Sequence, residues 1–474
     1  MIGFYVDNDE FEYDIRGLLM AFYPGEELVK NPVEKPELMI LIPDAGDGEK
    51  TERKNRLKRR LYRELSARTG KTLPWGTLTG IRPTKIAMGK LEEGLTAEEI
   101  RAFLRDEYLA GEEKSSLAVE IAFREKEILK NIDYEEGYSL YIGIPFCPTT
   151  CLYCSFTSYP MTKWEPRMGE YLDALFREID WTAERFRKKK LNTIYIGGGT
   201  PTSLPPELLD RLLKKICESF DFCDLQEFTV EGGRPDSITR RKLEVLKSYP
   251  VTRISINPQT MRQETLRRIG RRHTVEAIEE AFFLAREIGF DNINMDIILG
   301  LPEETPEDVE YTVRRIEALR PDSLTVHSLA VKRASRLKME AEGTVVAGGT
   351  QEESEAMMAA AAAGAKRMGL YPYYLYRQKN MAGNLENVGF AAAEKAGIYN
   401  ILIMEEKQNI VALGAGPVSK RIYPDGRIER SDNVKDVNLY MEKISEMIER
   451  KEKLFTDQPD KGGRGTDDAE SNLF

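Results

Sequence analysis

From residue 138 onward, short apolar runs alternate with longer amphipathic stretches. The apolar runs are Leu140–Ile144, Thr193–Ile196, Phe228–Val230, Arg253–Ile256, Ile293–Leu299 and Leu324–Leu329. Between them lie segments with helical periodicity, among them Gly169–Lys188, Pro205–Phe220, Val275–Ile288 and Thr305–Leu319. A buried strand followed by an amphipathic helix, repeated along the chain, predicts a parallel sheet with crossover helices. Curled, such a sheet is an α/β fold: a full or partial (β/α)6 barrel. Chemistry in such barrels gathers at the C-terminal ends of the strands, which says where to search.

The flanking regions follow other patterns. Met1–Val6 and Glu37–Ile42 read as strands, and Phe11–Phe22 as a short helix. Lys50–Ala67 is helical in period and carries Arg53, Lys54, Arg56, Lys58, Arg59, Arg60 and Arg63, which suits either an anion-binding face or a solvated one. Leu73–Lys85 (LPWGTLTGIRPTK) reads as a structured loop, and Thr96–Leu109 and Ser115–Asn131 as helices. Past residue 335 come an Ala-rich helix (Gln351–Met368), the tyrosine-rich Leu370–Gln378, a strand (Gln408–Leu413) followed by GAGP, and a charged helix (Asp436–Glu452). The expected division is therefore an N-terminal α/β domain (1–136), a partial barrel (137–335), a C-terminal α+β extension on the substrate side (336–455) and a disordered tail (456–474).

Composition narrows the class. At 41% hydrophobic and 31% charged, the chain is neither disordered nor collagen-like. No apolar run approaches the ~18 residues of a membrane span. The start, MIGFYVDNDEFEYD, lacks the cationic segment of a secretory leader. A net charge of -10 argues against coating nucleic acid. Five cysteines without a leader point to a reducing cytoplasm, not to a disulfide framework.

Three of those cysteines, Cys147, Cys151 and Cys154, lie in YIGIPFCPTTCLYC, just after the first barrel strand. Zinc takes four ligands, usually in paired knuckles, and no second knuckle is present. Three thiolates on one loop suit an iron–sulfur cluster with one iron left open to a ligand. With this loop the segment from 138 to about 335 resembles the radical S-adenosylmethionine (SAM) enzymes. Tyr141-Ile-Gly-Ile-Pro-Phe-Cys147 and Gly197-Gly-Gly-Thr-Pro-Thr202 are similar to motifs of the oxygen-independent coproporphyrinogen III oxidase group. LTGIRPTK and YRQKNMAGNLENVGF (Tyr376–Phe390) resemble segments of its HemZ-type branch.

The resemblance implies a [4Fe–4S] cluster on Cys147, Cys151 and Cys154, with SAM on the open iron. Reduced, the cluster cleaves SAM to methionine and a 5′-deoxyadenosyl radical; the protein positions the cofactors. It implies SAM contacts at Tyr141, Tyr153, Gly198, Gly199, Thr200, Glu231, Gln259, Arg271, Asp296 and Ala330. It further implies an oxidoreductase of heme biosynthesis working anaerobically on a tetrapyrrole, with a donor such as flavodoxin or ferredoxin. The reaction would turn two propionates of coproporphyrinogen III into vinyl groups. Arg82, Lys85, Arg333, Arg336, Arg377 and Lys379 are candidate partners for the carboxylates, and Tyr373, Tyr374 and Tyr376 for the ring. Some positions depart from the group: Phe156 stands where coproporphyrinogen-oxidising relatives have a further cysteine, Gly143 replaces the usual histidine, and Pro258 replaces a glycine. Two alternatives follow, a heme-binding chaperone on the same fold and another radical reaction on a tetrapyrrole. A chaperone needs an axial ligand, for which the chain offers His273, His327, Cys217 and Cys223.

Overall fold

The computed structural model describes residues 1–6, 9–80, 82–330, 350–377 and 385–456. Near the N-terminus, β1 (Ile2–Tyr5), β2 (Leu28–Lys30) and β3 (Leu38–Leu41) form a parallel sheet in the order β2-β1-β3. The helix Lys50–Thr69 turns Leu57, Leu61 and Leu65 onto Phe4, Ile15, Leu18 and Phe22. Glu49 caps its first amides, and Gly70 ends it in a left-handed conformation (φ +70°). Its cations are largely engaged within the chain. Arg53 pairs with Glu10 at 3.0 Å, Arg59 with Glu107, and Arg56 donates to the Ala45 carbonyl. Buried Lys58 reaches Thr79 Oγ1 at 3.1 Å.

The main sheet has eleven strands. In chain order the strands that follow β3 are β4 (Gly137–Ile144), β5 (Phe146–Cys147), β6 (Tyr159–Pro160), β7 (Lys190–Gly198), β8 (Glu227–Gly233), β9 (Arg253–Ile256) and β10 (Ile293–Leu299). Then come β11 (Ser323–Ser328), β12 (Tyr371–Tyr376), β13 (Asn387–Ala391), β14 (Asn409–Leu413), β15 (Val418–Ile422) and β16 (Ile428–Asp432). Spatial order is β12-β13-β11-β10-β9-β8-β7-β4-β14-β15-β16, while β5 and β6 pair separately. The six expected strands are parallel and run in order from β4 to β11, as the partial barrel requires. β14 continues this set in parallel beside β4, and β13 closes the other side antiparallel to β11.

The strands are not uniformly apolar. Registered pairing puts Ser139, Thr193 and Glu227 in one row, and Tyr141, Tyr195, Thr229 and Arg253 in the next. Ser255, Asn294, Ser323, Asp296 and Thr325 continue the same face. The opposite face, including Leu140, Ile142, Ile194, Val230, Ile254 and Val326, packs with the helices into the main core. One side of this sheet is thus a polar lumen. The apolar runs located the strands but did not reveal that lumen.

That core also takes in Trp75, Leu78, Met88, Leu104, Ile121 and Ala122, from the region expected to fold separately. Trp75 Nε1 (2.7 Å) and Lys114 Nζ (2.8 Å) both donate to the buried carboxylate of Glu386. The charged stretch 436–452 forms two helices, Val437–Glu442 and Ile444–Phe455. Buried Lys451 binds Glu178 and Asn433, and so ties the second helix to the barrel. The tail beyond residue 456 lies outside the described residues.

Candidate active site

The chain leaves β4 at Ile144, passes Pro145 and forms the short β5, which pairs with β6. That pairing draws residues 147–159 into a closed loop. Cys147 and Cys151 are buried, Cys154 is half-buried, and none of the three is in a disulfide. Cys147 Sγ lies 3.4 Å from Thr200 Oγ1, and Arg234 Nη1 lies 3.8 Å from Cys151 Sγ. Arg234 is held by Asp236 (2.9 and 2.6 Å) and by the Thr149 carbonyl. Burial pushes the Cys147 thiol up to about 12, and the neighbouring thiols of Cys154 and Cys151 add to the rise. Loading iron must therefore displace a proton from this sulfur. Among the described residues no three His, Cys, Asp or Glu side chains are gathered as a single metal ion requires. A four-iron cluster instead takes its thiolates at separate corners.

The glycine loop after β7 packs directly on the cysteine strand. A Cβ on Gly199 would stand 2.7 Å from the Phe146 carbonyl oxygen and 3.0 Å from Cys147 Sγ. Gly198 has φ +110°, and its Cβ would meet the Ile144 amide at 2.9 Å. Thr200 donates its amide to Phe146 O at 2.7 Å. Close approach to the protein's own cysteine strand is thus one physical requirement behind these glycines.

Polar side chains converge at the adjoining strand ends. Tyr195 Oη donates to Glu231, and Tyr195 stacks on Tyr141 (6.0 Å) and Tyr399 (4.6 Å). Burial raises the Glu231 carboxyl to about 7; the Tyr195 hydrogen bond opposes the rise and Asp296 adds to it. Burial also pushes Asp296 upward, but His327, Asn294 and Thr325 outweigh it and hold this carboxyl below its ordinary value. His327 Nε2 lies 3.9 Å from Asp296, and its Nδ1 lies 3.4 Å from Tyr376 Oη. Gln259 adopts a left-handed backbone (φ +66°) and exchanges main-chain hydrogen bonds with Asp296 and Ile298. Arg271 donates to the Asn257 carbonyl (2.5 Å) and Tyr153 Oη (3.2 Å). Among the described residues, the buried Gln259 Oε1, Asn257 Oδ1 and Arg271 Nε have no hydrogen-bond partner. Unmet buried donors and acceptors beside three thiols fit a polar ligand next to a cluster. Ile269, Ile298, Leu301 and Leu329 form an apolar patch against Leu152 and Tyr153. Ala330 follows β11 as the last described residue before 350.

The substrate candidates divide. Tyr374 and Tyr376 are stacked at 6.2 Å, and Tyr376 reaches the site through His327. Tyr373 is buried against Asn400 instead. Arg377 is buried and donates to the carbonyls of Leu78 and Leu385. Arg82 pairs with Glu406 at 2.6 Å. Glu406 precedes β14, whose first residue pairs with Tyr138 at the start of β4. Arg82 therefore sits at the end of the sheet opposite the cysteine loop, and exposed Lys85 lies close by in sequence on the helix Thr84–Glu92. Arg333, Arg336 and Lys379 lie outside the described residues. Of the possible heme ligands, His273 is buried, 3.7 Å from Asp236. Cys217 is half-buried and Cys223 exposed. The sequence patterns did not single out Tyr195 or Arg234; Gly197, the first residue of the glycine motif, would with a Cβ meet Glu231 at 3.1 Å and Tyr141 Oη at 3.2 Å. Tyr195 was findable, since it shares the strand face of Gly197 two residues on.

Comparison with known proteins agrees with this geometry. The sequence profile of the radical SAM superfamily matches residues 141–316. An oxygen-independent coproporphyrinogen-III oxidase-like protein, HemZ of Bacillus subtilis, is 45% identical over 396 residues, 82% of this chain and 79% of its own. The heme chaperone HemW of the same organism is 40% identical over 195 residues, 41% of this chain and 51% of its own. The solved coproporphyrinogen III oxidase HemN of Escherichia coli superposes with a TM-score of 0.53 at 23% identity, over 68% of this chain and 73% of that one. The chain is a radical SAM protein, of the superfamily that uses a [4Fe–4S] cluster and SAM. Within it, the chain belongs to the oxygen-independent coproporphyrinogen III oxidase-like family, in its HemZ-type branch.

Proposed function

We propose that the protein converts two propionates of coproporphyrinogen III into vinyl groups, forming protoporphyrinogen IX without oxygen. The observation that carries the reading is the set of unpartnered buried atoms on Gln259, Asn257 and Arg271 beside the three thiols, in a chain 45% identical to HemZ. Cys147, Cys151 and Cys154 would hold the cluster, which when reduced supplies the electron that releases a deoxyadenosyl radical from SAM. Arg271 would clamp the SAM carboxylate, and Gln259, Asp296 and Glu231 would accept from its amino and hydroxyl groups. Tyr141, Tyr153, Ala330 and the Gly198–Thr200 loop would complete that pocket, with the Ile269–Leu329 patch excluding water. Tyr374 and Tyr376 would flank the tetrapyrrole. In each propionate, loss of a hydrogen atom from the β-carbon, one electron and CO2 leaves a vinyl group. An electron donor and a final acceptor are implied.

Heme carriage is the second reading. Phe156, 55% exposed at the position of the relatives' extra cysteine, favours it. One assay separates the two. The reconstituted, reduced protein is incubated anaerobically with SAM and coproporphyrinogen III and the products are read by mass spectrometry. Loss of two CO2 with formation of 5′-deoxyadenosine is expected. Deoxyadenosine without an altered porphyrinogen would discard this substrate, and heme binding would be titrated next. Alanine at Cys147, Cys151 or Cys154 should abolish cluster and deoxyadenosine together.

A further inference from the structure

A cleft of about 760 Å³ opens between the cysteine loop and the turn at residues 267–272. Thr149, Thr150 and Leu152 form one wall, Arg267, Arg268 and Arg272 stand on the other, and the buried Arg271 also lines the cleft. Arg267, Arg268 and Arg272 are exposed. Arg268 is shared with Glu303 at 2.7 Å. Arg267 and Arg272 make no ion pair among the described residues. In a chain of net charge -10, this is a local patch of the opposite sign. The two walls are bonded to each other: the Leu152 amide donates to Ile269 O at 3.1 Å, and Thr149 Oγ1 to Gly270 O at 3.1 Å. A hydrogen-bonded path thus leads from the arginine turn to the residue next to Cys151.

We propose that this cleft is the docking site of an acidic one-electron carrier protein, one bearing a flavin or an iron–sulfur centre near its surface. The proposal rests on the cluster assignment, because a centre that gives up an electron must be refilled from outside. One electron leaves the carrier and enters the cluster, and no atom is transferred. Charge complementarity selects the occupant. The exposed Arg267 and Arg272 at the rim of an open cleft steer a large anionic surface, while the buried arginine of the lining, Arg271, is turned to the Asn257 carbonyl and Tyr153 Oη. Approach here brings the carrier against the cysteine loop and leaves the tyrosine-lined lumen free.

Flavodoxin is the probe. Under anaerobic conditions, flavodoxin hydroquinone is mixed with the reconstituted protein and bleaching of the cluster is followed by stopped flow. The wild-type rate should fall as salt is raised, and Arg267→Glu/Arg272→Glu should lower it by ~10-fold or more. Dithionite, which needs no docking, should reduce both proteins at the same rate. The milder Arg267→Gln/Arg272→Gln should fall between. An unchanged rate with flavodoxin overturns the proposal. So does an equal slowing with dithionite, which would make the arginines supports of the loop. Calorimetric titration of oxidised flavodoxin into the full chain needs no turnover. It reads docking even if reconstitution shows that no cluster forms, so the two failures are distinguishable. Displacement of flavodoxin by free coproporphyrin would mark a small-anion site and reject the docking role.

Discussion

Glu231 is the residue whose chemistry depends most on its surroundings. Its carboxyl, raised to about 7, is surrounded by Tyr195, Asp296, Arg253 and His327. A carboxyl raised on folding stabilises the fold fully below its ordinary value and loses that contribution as pH climbs through the folded value. Glu231→Gln removes this dependence. The cofactor-free variant should therefore melt higher relative to wild type at pH 8 than at pH 5.5, the gap widening by ~2 °C or more. A carboxylate accepts from SAM more strongly once ionised, so wild-type SAM affinity should rise between pH 6 and 8 more steeply than that of Glu231→Gln. Calorimetry at the two pH values checks both. Unlike Glu231, Asp296 is held below its ordinary value by His327, Asn294 and Thr325, so it stays charged across this window.

At the scale of elements, the glycine loop after β7 and the cysteine loop after β4 act as one unit. Gly199→Ala would drive a methyl group into the Phe146 carbonyl and Cys147 Sγ. It should lower the iron content after reconstitution several-fold while leaving far-UV circular dichroism unchanged. An iron content equal to wild type would show that the loop yields. The GGGTPT run was legible because its residues are contiguous. Tyr195 was not singled out, because its role depends on β7 and β8 pairing in register. The basic helix Lys50–Thr69 is the converse case. Its charge pattern allowed an anion-binding face, yet Arg53, Lys58 and Arg59 have partners that only folding brings within reach.

At the scale of the whole molecule, the division of the chain follows buried contacts. Ile2–Leu73 has its own apolar cluster, whereas Trp75–Ala122 belongs to the core of the main sheet. A deletion of residues 1–72 should stay soluble and load iron. A deletion of residues 1–136 would strip Trp75 and Lys114 from the buried Glu386 carboxylate, and breaking such a buried ion pair costs ~3–5 kcal/mol before any lost packing. That protein should aggregate. Soluble yield and the iron-to-protein ratio of the two truncations check the boundary. Among the described residues no helix is long and apolar enough to cross a membrane.

By itself the sequence determined whatever depends on neighbours along the chain. The cysteine spacing, the glycine loop and the strand–helix alternation define the radical SAM core, because a few bonds of backbone already fix those groups relative to one another. Tertiary structure decided what depends on distant residues meeting. It sent Arg82 to the far end of the sheet with Glu406, buried Arg377 under Leu78, and left Gln259 and Arg271 with unmet hydrogen bonds beside the thiols. In sequence each of these is only a polar residue near a motif. Burial, and the requirement that buried polar groups find partners, separates those that brace the fold from those left open to a ligand.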